Sequence, residues 1–326
     1  MILITGGAGF IGSNLHAALF ARGYETIVVD RLRCGNKWRN LAKHPPARLL
    51  PPAGLAAFLA TEPPIDVVFH LGAMSHPPDG AVEIAWASNV EQSKFLWDWC
   101  VAKQVRFIYA SSSATYGNGA RGFHDDVAID YLAQLRPLTP YGWTKHIFDL
   151  YVARSIAEGR QRPPQWVGLK LFNVYGPNEY HKRNMVSLVK TMYDYAITGR
   201  ELPLFRSELP QIADGGYQRD FILVDDAIAV MLWVLERPSV SGLFNLGTGQ
   251  ARSYHDLAQA VIRAVGVDQR IGFVDIPEAL RGRYPAFTEA RLERLRGAGY
   301  TGELLSLETG VRRYIRDYLV QNDPYR

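Results

Sequence analysis

Cysteine is nearly missing: Cys34 and Cys100 are the only two in 326 residues. Two thiols make neither a disulfide scaffold nor a zinc knuckle, so the composition points to a reducing compartment. No window approaches the roughly 20 apolar residues that span a bilayer. The opening Met-Ile-Leu-Ile-Thr has no basic leader and no cleavage site. A cytoplasmic protein with no membrane partner is expected. Charge of either sign is nearly balanced, with 36 Lys plus Arg against 32 Asp plus Glu and a net charge of +4. No basic run marks a nucleic-acid stripe, so no nucleic-acid partner is expected and the cations suit a local anionic ligand. What remains is an ordinary globular composition, 48% hydrophobic and 21% charged. The length suits one large domain with a smaller partner, or two modest domains.

Ile2-Leu3-Ile4 is an apolar run that stops at Gly6-Gly7-Ala8-Gly9-Phe10-Ile11-Gly12. The pattern predicts a strand, a helix over 10–22 ended by Gly23, and a second strand, Thr26-Ile27-Val28-Val29-Asp30. Further parallel strands are predicted at 66–71, 106–110, 166–172 and 242–247, with helices at 84–103 and 141–158. Residues 185–198, 225–236, 253–265 and 307–320 are predicted helical, and 221–224 a strand. The stretch after the second strand, punctuated by Pro45-Pro46, Pro51-Pro52 and Pro63-Pro64, is expected to be loop and short helix. The fold class is α/β: a Rossmann-type doubly wound parallel sheet with a smaller interleaved α/β substrate domain. Residues 1–176 with roughly 221–250 are assigned to the dinucleotide domain, and 177–220 with 251–326 to the substrate domain.

Gly6, Gly9 and Gly12 sit where a strand turns into a helix, with Phe10 and Ile11 between them. Glycine permits the tight turn and the close approach of pyrophosphate, and the helix start supplies unpaired N–H groups. Asp30 closes the next strand, as a dinucleotide fingerprint requires. Asp30 suits a ribose 2′-hydroxyl and hence NAD. Arg31, Arg33 and Lys37 suit a 2′-phosphate, and three cations so close favour NADP, with NAD as the alternative. Leu71, Gly72, Ala73, Met74 and Ser75 follow the third strand and are candidates to line the cofactor; Asn89 is a candidate anchor.

Tyr141 and Lys145 are four residues apart, one face of a helix. An unperturbed phenol is a poor base at neutral pH; a neighbouring ammonium favours its phenolate. Ser113 is the hydroxyl expected beside it, with Ser112 and Thr115 as alternatives. Asn173 follows a strand and can bind a sugar or phosphate oxygen. Lys182 either neutralises a diphosphate or acts as a second acid/base. His181 supports the loop or binds phosphate; no partner ligands are spaced around it, so no metal site is expected. Arg219 is a natural diphosphate fork, with pairing to Asp220 as the alternative.

These motifs resemble the extended short-chain dehydrogenase/reductase superfamily of nucleotide-sugar enzymes, and within it the ADP-glyceromanno-heptose 6-epimerases. The most specific stretches are Glu179-Tyr180-His181-Lys182 and Leu280-Arg281-Gly282-Arg283-Tyr284-Pro285-Ala286-Phe287-Thr288. The resemblance implies an NADP-dependent nucleotide-sugar epimerase acting on a nucleotide-diphospho-heptose, as a homo-oligomer. It implies that Tyr141 and Lys182 serve opposite configurations at C6, with Lys145 and Ser113 also catalytic. It also implies cofactor contacts from Tyr141, Lys145, Val174 and Lys182, and substrate contacts from Asn173, Asn184, Phe205, Arg206, Ser207, Arg219 and Tyr284. Thr191 stands where the family pattern has histidine, Asn184 where it has a small residue, and the loop over 207–218 is longer. No cofactor contact is carried over for residues 38–65.

The alternative within the fold is another nucleotide-sugar epimerase or a dehydratase. Dehydratases use an acidic residue beside the hydroxyl that meets the tyrosine; Ser111-Ser112-Ser113-Ala114-Thr115-Tyr116 offers none. A 4-epimerase would not need Lys182 as a second base. A non-catalytic cofactor sensor is the alternative from another class; retention of both Tyr141 and Lys145 argues against it.

Overall fold

In the computed structural model, which describes residues 1–32, 35–75, 81–282 and 284–326 without the side chains of Arg183, Asn184 and Ala279, the apolar runs become buried strands, joined by shorter and partly exposed ones. They are β1 (Ile2–Thr5), β2 (Thr26–Val29), β3 (Arg48–Leu50), β4 (Val67–His70), β5 (Arg106–Ser112) and β6 (Trp166–Leu171). Next come β7 (Asn173–Tyr175), β8 (Leu202–Phe205), β9 (Gln218–Leu223), β10 (Gly242–Leu246), β11 (Ala251–Ser253) and β12 (Ile271–Val274). The main sheet has seven strands in the order β10-β6-β5-β4-β1-β2-β3, every pair parallel. Strand order reverses beside β1, so the carboxyl ends of β1 and β4 open a crevice there.

Alternation along each strand feeds two cores. Ile2, Ile4, Val67 and Phe69 pack on one side with Phe10 and Leu15 of the helix Phe10–Phe20. Leu3, Val68, Phe107 and Tyr109 pack on the other with Leu96, Trp97 and Phe148. A third core, around Tyr175, Met192, Leu204, Phe221, Leu257 and Tyr314, belongs to the smaller part. There β11, β9 and β7 form a three-stranded sheet and β12 pairs with β8. The doubly wound sheet and its smaller interleaved companion therefore match the expected class. No helix among the described residues is long and apolar enough to cross a membrane.

The elements differ from expectation in two places that matter for the site. Residues 84–103 are not one regular helix: Val82–Trp86 and Gln92–Lys103 flank a π-helical turn, Ala87–Glu91. That widened turn carries Asn89, and such turns concentrate at functional sites. Residues 38–65 hold not only short helices, Arg39–Ala42 and Leu55–Leu59, but also the edge strand β3. Three largely exposed residues carry no alternation to recognise.

Candidate active site

The turn after β1 is compressed to the point where only glycine fits. Gly6 has φ +69, and a Cβ there would lie 2.7 Å from the backbone of Gly72. A Cβ on Gly12 would lie 2.2 Å from the Gly6 carbonyl oxygen, so helix and turn touch through backbone alone. Gly9 caps the helix Phe10–Phe20 with extended backbone, no side-chain cap and no acid in the first turn. The helix start thus keeps its N–H groups and its partial positive charge for an anion. A dinucleotide pyrophosphate fits this cradle.

Asp30 follows β2, and its carboxylate accepts the Ala8 N–H at 2.9 Å and the Arg31 N–H at 2.6 Å. The Lys37 ammonium pairs with the same carboxylate. Arg31 therefore contributes its backbone here, with its side chain exposed; Arg33 lies outside the described residues.

Residues 71–75 run along the crevice from the end of β4. The Asn89 side chain accepts the Met74 N–H at 2.7 Å and donates to the Met74 carbonyl at 3.0 Å. It also donates to Thr144 Oγ1 at 3.0 Å, and Thr144 in turn to the Tyr141 carbonyl at 2.8 Å. Asn89 thus joins the crevice segment to the tyrosine's helix. Behind it, Ser93 Oγ donates to the Asn89 carbonyl and bonds His70 Nε2 at 2.8 Å, while His70 Nδ1 bonds Thr5 Oγ1 at 2.7 Å. Ser93 has used its proton, so His70 carries its own on Nε2. Burial, with Lys145 nearby, pushes the His70 pKa down to about 3, which keeps the ring neutral.

Tyr141 and Lys145 share the helix Pro140–Ala157, which Thr139 caps by accepting the Gly142 N–H. Lys145 is buried, with Nζ 2.8 Å from the Ala110 carbonyl at the end of β5. Desolvation lowers its pKa to about 8 against the opposing pull of Asp149. Burial raises the Tyr141 pKa, a hydrogen bond with Ser112 lowers it, and Asp149 raises it again. The hydroxyl that lowers the Tyr141 pKa is therefore that of Ser112, one of the alternatives, while Ser113 begins the following 3-10 turn. Thr115 faces away, bonded to Lys170 Nζ at 2.6 Å.

On the other side of the crevice, Lys182 rides the 3-10 helix Tyr180–Met185 with its ammonium 4.2 Å from the centroid of the Phe10 ring. Burial lowers its pKa and Glu179 opposes the shift. Its neighbour His181 is pushed down to about 4 by burial and by Lys37 and Lys182. Asn173 is exposed and Val174 half-buried in β7. Arg219 is buried, its guanidinium 5.4 Å from the Tyr254 ring centroid and 4.8 Å from that of Tyr284. Asp220 does not pair with it; that carboxylate accepts the N–H groups of Thr248, Gly249 and Ala290 instead. Phe205 packs edge-on against Tyr284 at 5.6 Å. Arg206 is exposed, paired with Asp214 and Asp275, and the Ser207 N–H also binds Asp214. The side chain of Asn184 and all of Arg283 lie outside the described residues. Among those described, no cluster of three metal-ligating side chains occurs.

Residues 2–247 match the NAD dependent epimerase/dehydratase family. The chain is 43% identical to the ADP-L-glycero-D-manno-heptose-6-epimerase of Nitratidesulfovibrio vulgaris (strain DP4) over 100% of both proteins. The chain belongs to this family of epimerases. A solved relative of the same name, from Helicobacter pylori, superposes with a TM-score of 0.78 at 28% identity, over 97% of this chain and 95% of that one.

Family membership corrects the cofactor: the dinucleotide is NAD, not the NADP expected from Arg31, Arg33 and Lys37. The matched family is NAD-dependent. The UDP-glucose 4-epimerase of Thermus thermophilus was solved with NAD; it shares this fold with a TM-score of 0.73 at 24% identity, over 96% of this chain and 97% of that one. The geometry gives the physical reason. Lys37 is neutralised by Asp30, and a carboxylate at the end of β2 accepts a ribose hydroxyl but repels a phosphate.

Sequence reasoning passed over several residues of the site. Asp149 lies one turn beyond Lys145 and could have been found by extending the helical face. Lys170, a cation inside the apolar strand Trp166–Leu171, signals a buried partner. Tyr254 and Asn40 carry no local signal.

Proposed function

We propose that the protein interconverts ADP-D-glycero- and ADP-L-glycero-manno-heptose by transient oxidation at C6 and return of hydride to the opposite face. This conversion supplies heptose for the lipopolysaccharide inner core. The observation that carries this reading is full-length identity of 43% to a 6-epimerase, joined to a tyrosine, a buried lysine and a half-buried lysine beside the glycine turn.

Bound NAD supplies the site that accepts the C6 hydride and gives it back. Gly6, Gly9, Phe10, Ile11 and Gly12 hold its pyrophosphate, Asp30 its ribose, and residues 71–75 with Asn89 line its path. Tyr141 takes the C6 hydroxyl proton of one epimer, with Ser112 bonded to the phenol. Lys145, held by the Ala110 carbonyl, keeps a positive charge near the phenolate. Lys182 serves the opposite configuration from the far side, because two stereochemical outcomes need proton carriers on two faces. Arg219, over the rings of Tyr254 and Tyr284, grips the diphosphate; Asn173, Asn184, Phe205, Arg206 and Ser207 complete the substrate side. The division into a dinucleotide unit, 1–176 with roughly 221–250, and a substrate unit, 177–220 with 251–326, is supported by the separate third core. We place the enzyme in the cytoplasm, as a homo-oligomer.

Incubation with each ADP-heptose epimer, with product stereochemistry read by NMR, tests the proposal. Interconversion without added reductant or net change in cofactor oxidation state is expected. Inertness toward both heptoses alongside turnover of a nucleotide hexose would overturn it.

A further inference from the structure

The turn that carries Lys182 is stitched to the dinucleotide site by buried amides. Asn40, 1% exposed, directs Nδ2 at the Ala8 carbonyl (2.9 Å) and the Asn178 carbonyl (3.0 Å), with His181 Nδ1 at 3.2 Å. Ala8 lies inside the glycine turn, and its N–H is already held by Asp30. One residue of the cofactor cradle is thus clamped from both sides. Asn178 sits in the left-handed region, φ 70, and donates to Ser13 Oγ at 3.0 Å. Asn14 donates to the Pro177 carbonyl at 2.9 Å. The Lys182 N–H is bonded to the Glu179 carbonyl at 3.0 Å, so the lysine moves with this turn.

From this geometry we infer that Asn40 is a positioning residue for Lys182, fixing the turn 178–182 at a set distance from the glycine turn. The inference rests on the proposed role of Lys182 as the second acid/base. An amide suits the position because its two hydrogens meet two carbonyl oxygens in a site closed to water. Aspartate, of the same shape, turns acceptors toward those carbonyls. Alanine leaves the Ala8 carbonyl without this partner and the Asn178 carbonyl with only His181 Nδ1 at 3.2 Å, and a buried group that loses its partner reorganises its surroundings. The ammonium of Lys182 lies over Phe10, the first residue of the helix that follows the glycine turn. A shift of turn against turn therefore moves the amine relative to the crevice rather than with it.

The test uses Asn40→Ala and Asn40→Ser, which keeps one donor, with Lys182→Met as comparator. The first readout needs no turnover: lysine acetylation by acetic anhydride, followed by peptide mass spectrometry. Loss of the two hydrogen bonds should raise Lys182 labelling about tenfold in Asn40→Ala, and less in Asn40→Ser. Labelling of Lys145 and Lys170, which are more deeply buried and lie elsewhere, should not change. The second readout is rapid mixing of NAD-loaded enzyme with each heptose epimer, following cofactor reduction by absorbance. Asn40→Ala should slow, by about tenfold, the half-reaction that Lys182→Met slows, and leave the other within about twofold. Equal rises at all three lysines, equal slowing of both half-reactions, or no change in either readout would overturn the inference. If Lys182→Met slows neither half-reaction selectively, the acid/base role fails, and the labelling alone decides whether Asn40 holds the lysine in place. If Lys182→Met is selective and Asn40→Ala is not, only the role of Asn40 fails.

Discussion

The Lys170 ammonium lies 2.7 Å from the Asp149 carboxylate, both side chains wholly buried, one helical turn beyond Lys145. Each partner is saturated by further contacts. Asp149 accepts from Ser111 Oγ at 2.7 Å and Tyr109 at 3.1 Å, while Lys170 donates to Thr115 and faces the Tyr116 ring at 4.7 Å. The pair sits behind the catalytic helix and acts on it through charge. Asp149 supports the protonated form of Lys145 and opposes the phenolate of Tyr141. Lys170 beside it carries the opposite charge.

Asp149→Asn breaks this balance. It leaves Lys170 as an uncompensated buried charge, and chemical denaturation should show a loss of about 3–5 kcal/mol. The pH profile should move as well. Lys145 titrates near 8 with Asp149 in place, so the alkaline limb of kcat/KM is expected there. Without that carboxylate the Lys145 pKa falls further, and the limb shifts to lower pH. An unshifted limb would mean that Lys145 does not set it.

Burial of Lys145 also links stability to pH with a definite sign. Its pKa is about 8 when folded and 10.5 when free. Between these values the unfolded chain binds the proton and the folded chain releases it, so stability gains as pH rises through that window. The cost of burying the cation is fully present below about pH 8. Lys145→Met should remove this slope, and denaturation midpoints of both proteins across the window measure the difference.

Tyr141→Phe deletes only the oxygen that carries the proton. The kcat should fall about 10²–10⁴-fold, the usual worth of a positioned acid/base, while NAD affinity measured by calorimetry stays close to that of the parent. Undiminished turnover would remove Tyr141 from the chemistry.

Much of this machinery was legible because local physics carries it. The glycine turn announced itself through spacing, since each glycine answers a backbone collision, and the Tyr141–Lys145 pair through helical period. The strands of the main sheet, the exposed edge strand β3 excepted, appeared as apolar runs because both faces are covered. What escaped was set by long-range pairing. Lys37 falls in the right loop for a phosphate, and only the folded chain shows its charge spent on Asp30. Ser112 and Ser113 are indistinguishable in sequence; the strand's end at Ser112 decides which hydroxyl meets the phenol. Asn40 sits in a stretch without periodicity, and its partners Ala8 and Asn178 are 32 and 138 residues away.

Asp30 and Lys37 should separate cleanly in NAD binding. Asp30→Ala removes the ribose acceptor and leaves the Ala8 N–H unpaired within the cradle, so the NAD Kd should rise about 10–100-fold. Lys37→Ala frees a lone pair of Asp30 without altering the turn, and should change the Kd far less. Fluorescence titration of both variants gives the comparison. A larger effect at Lys37 would place that ammonium, not the carboxylate, on the cofactor.

Arg219 offers the sharpest test of the substrate side. Its guanidinium lies over the stacked rings of Tyr254 and Tyr284, whose hydroxyls are joined at 2.6 Å, and its Nη1 donates to the Gln218 carbonyl at 2.7 Å. That setting fixes a planar fork for a diphosphate. Arg219→Lys keeps the charge but loses both the stacking and the paired donors. Because the diphosphate is remote from C6, the loss should fall on binding: KM should rise about tenfold with kcat within about threefold. Steady-state kinetics with the ADP-heptose measure both. A collapse of kcat at unchanged KM would mean instead that this arginine acts at the reacting carbon.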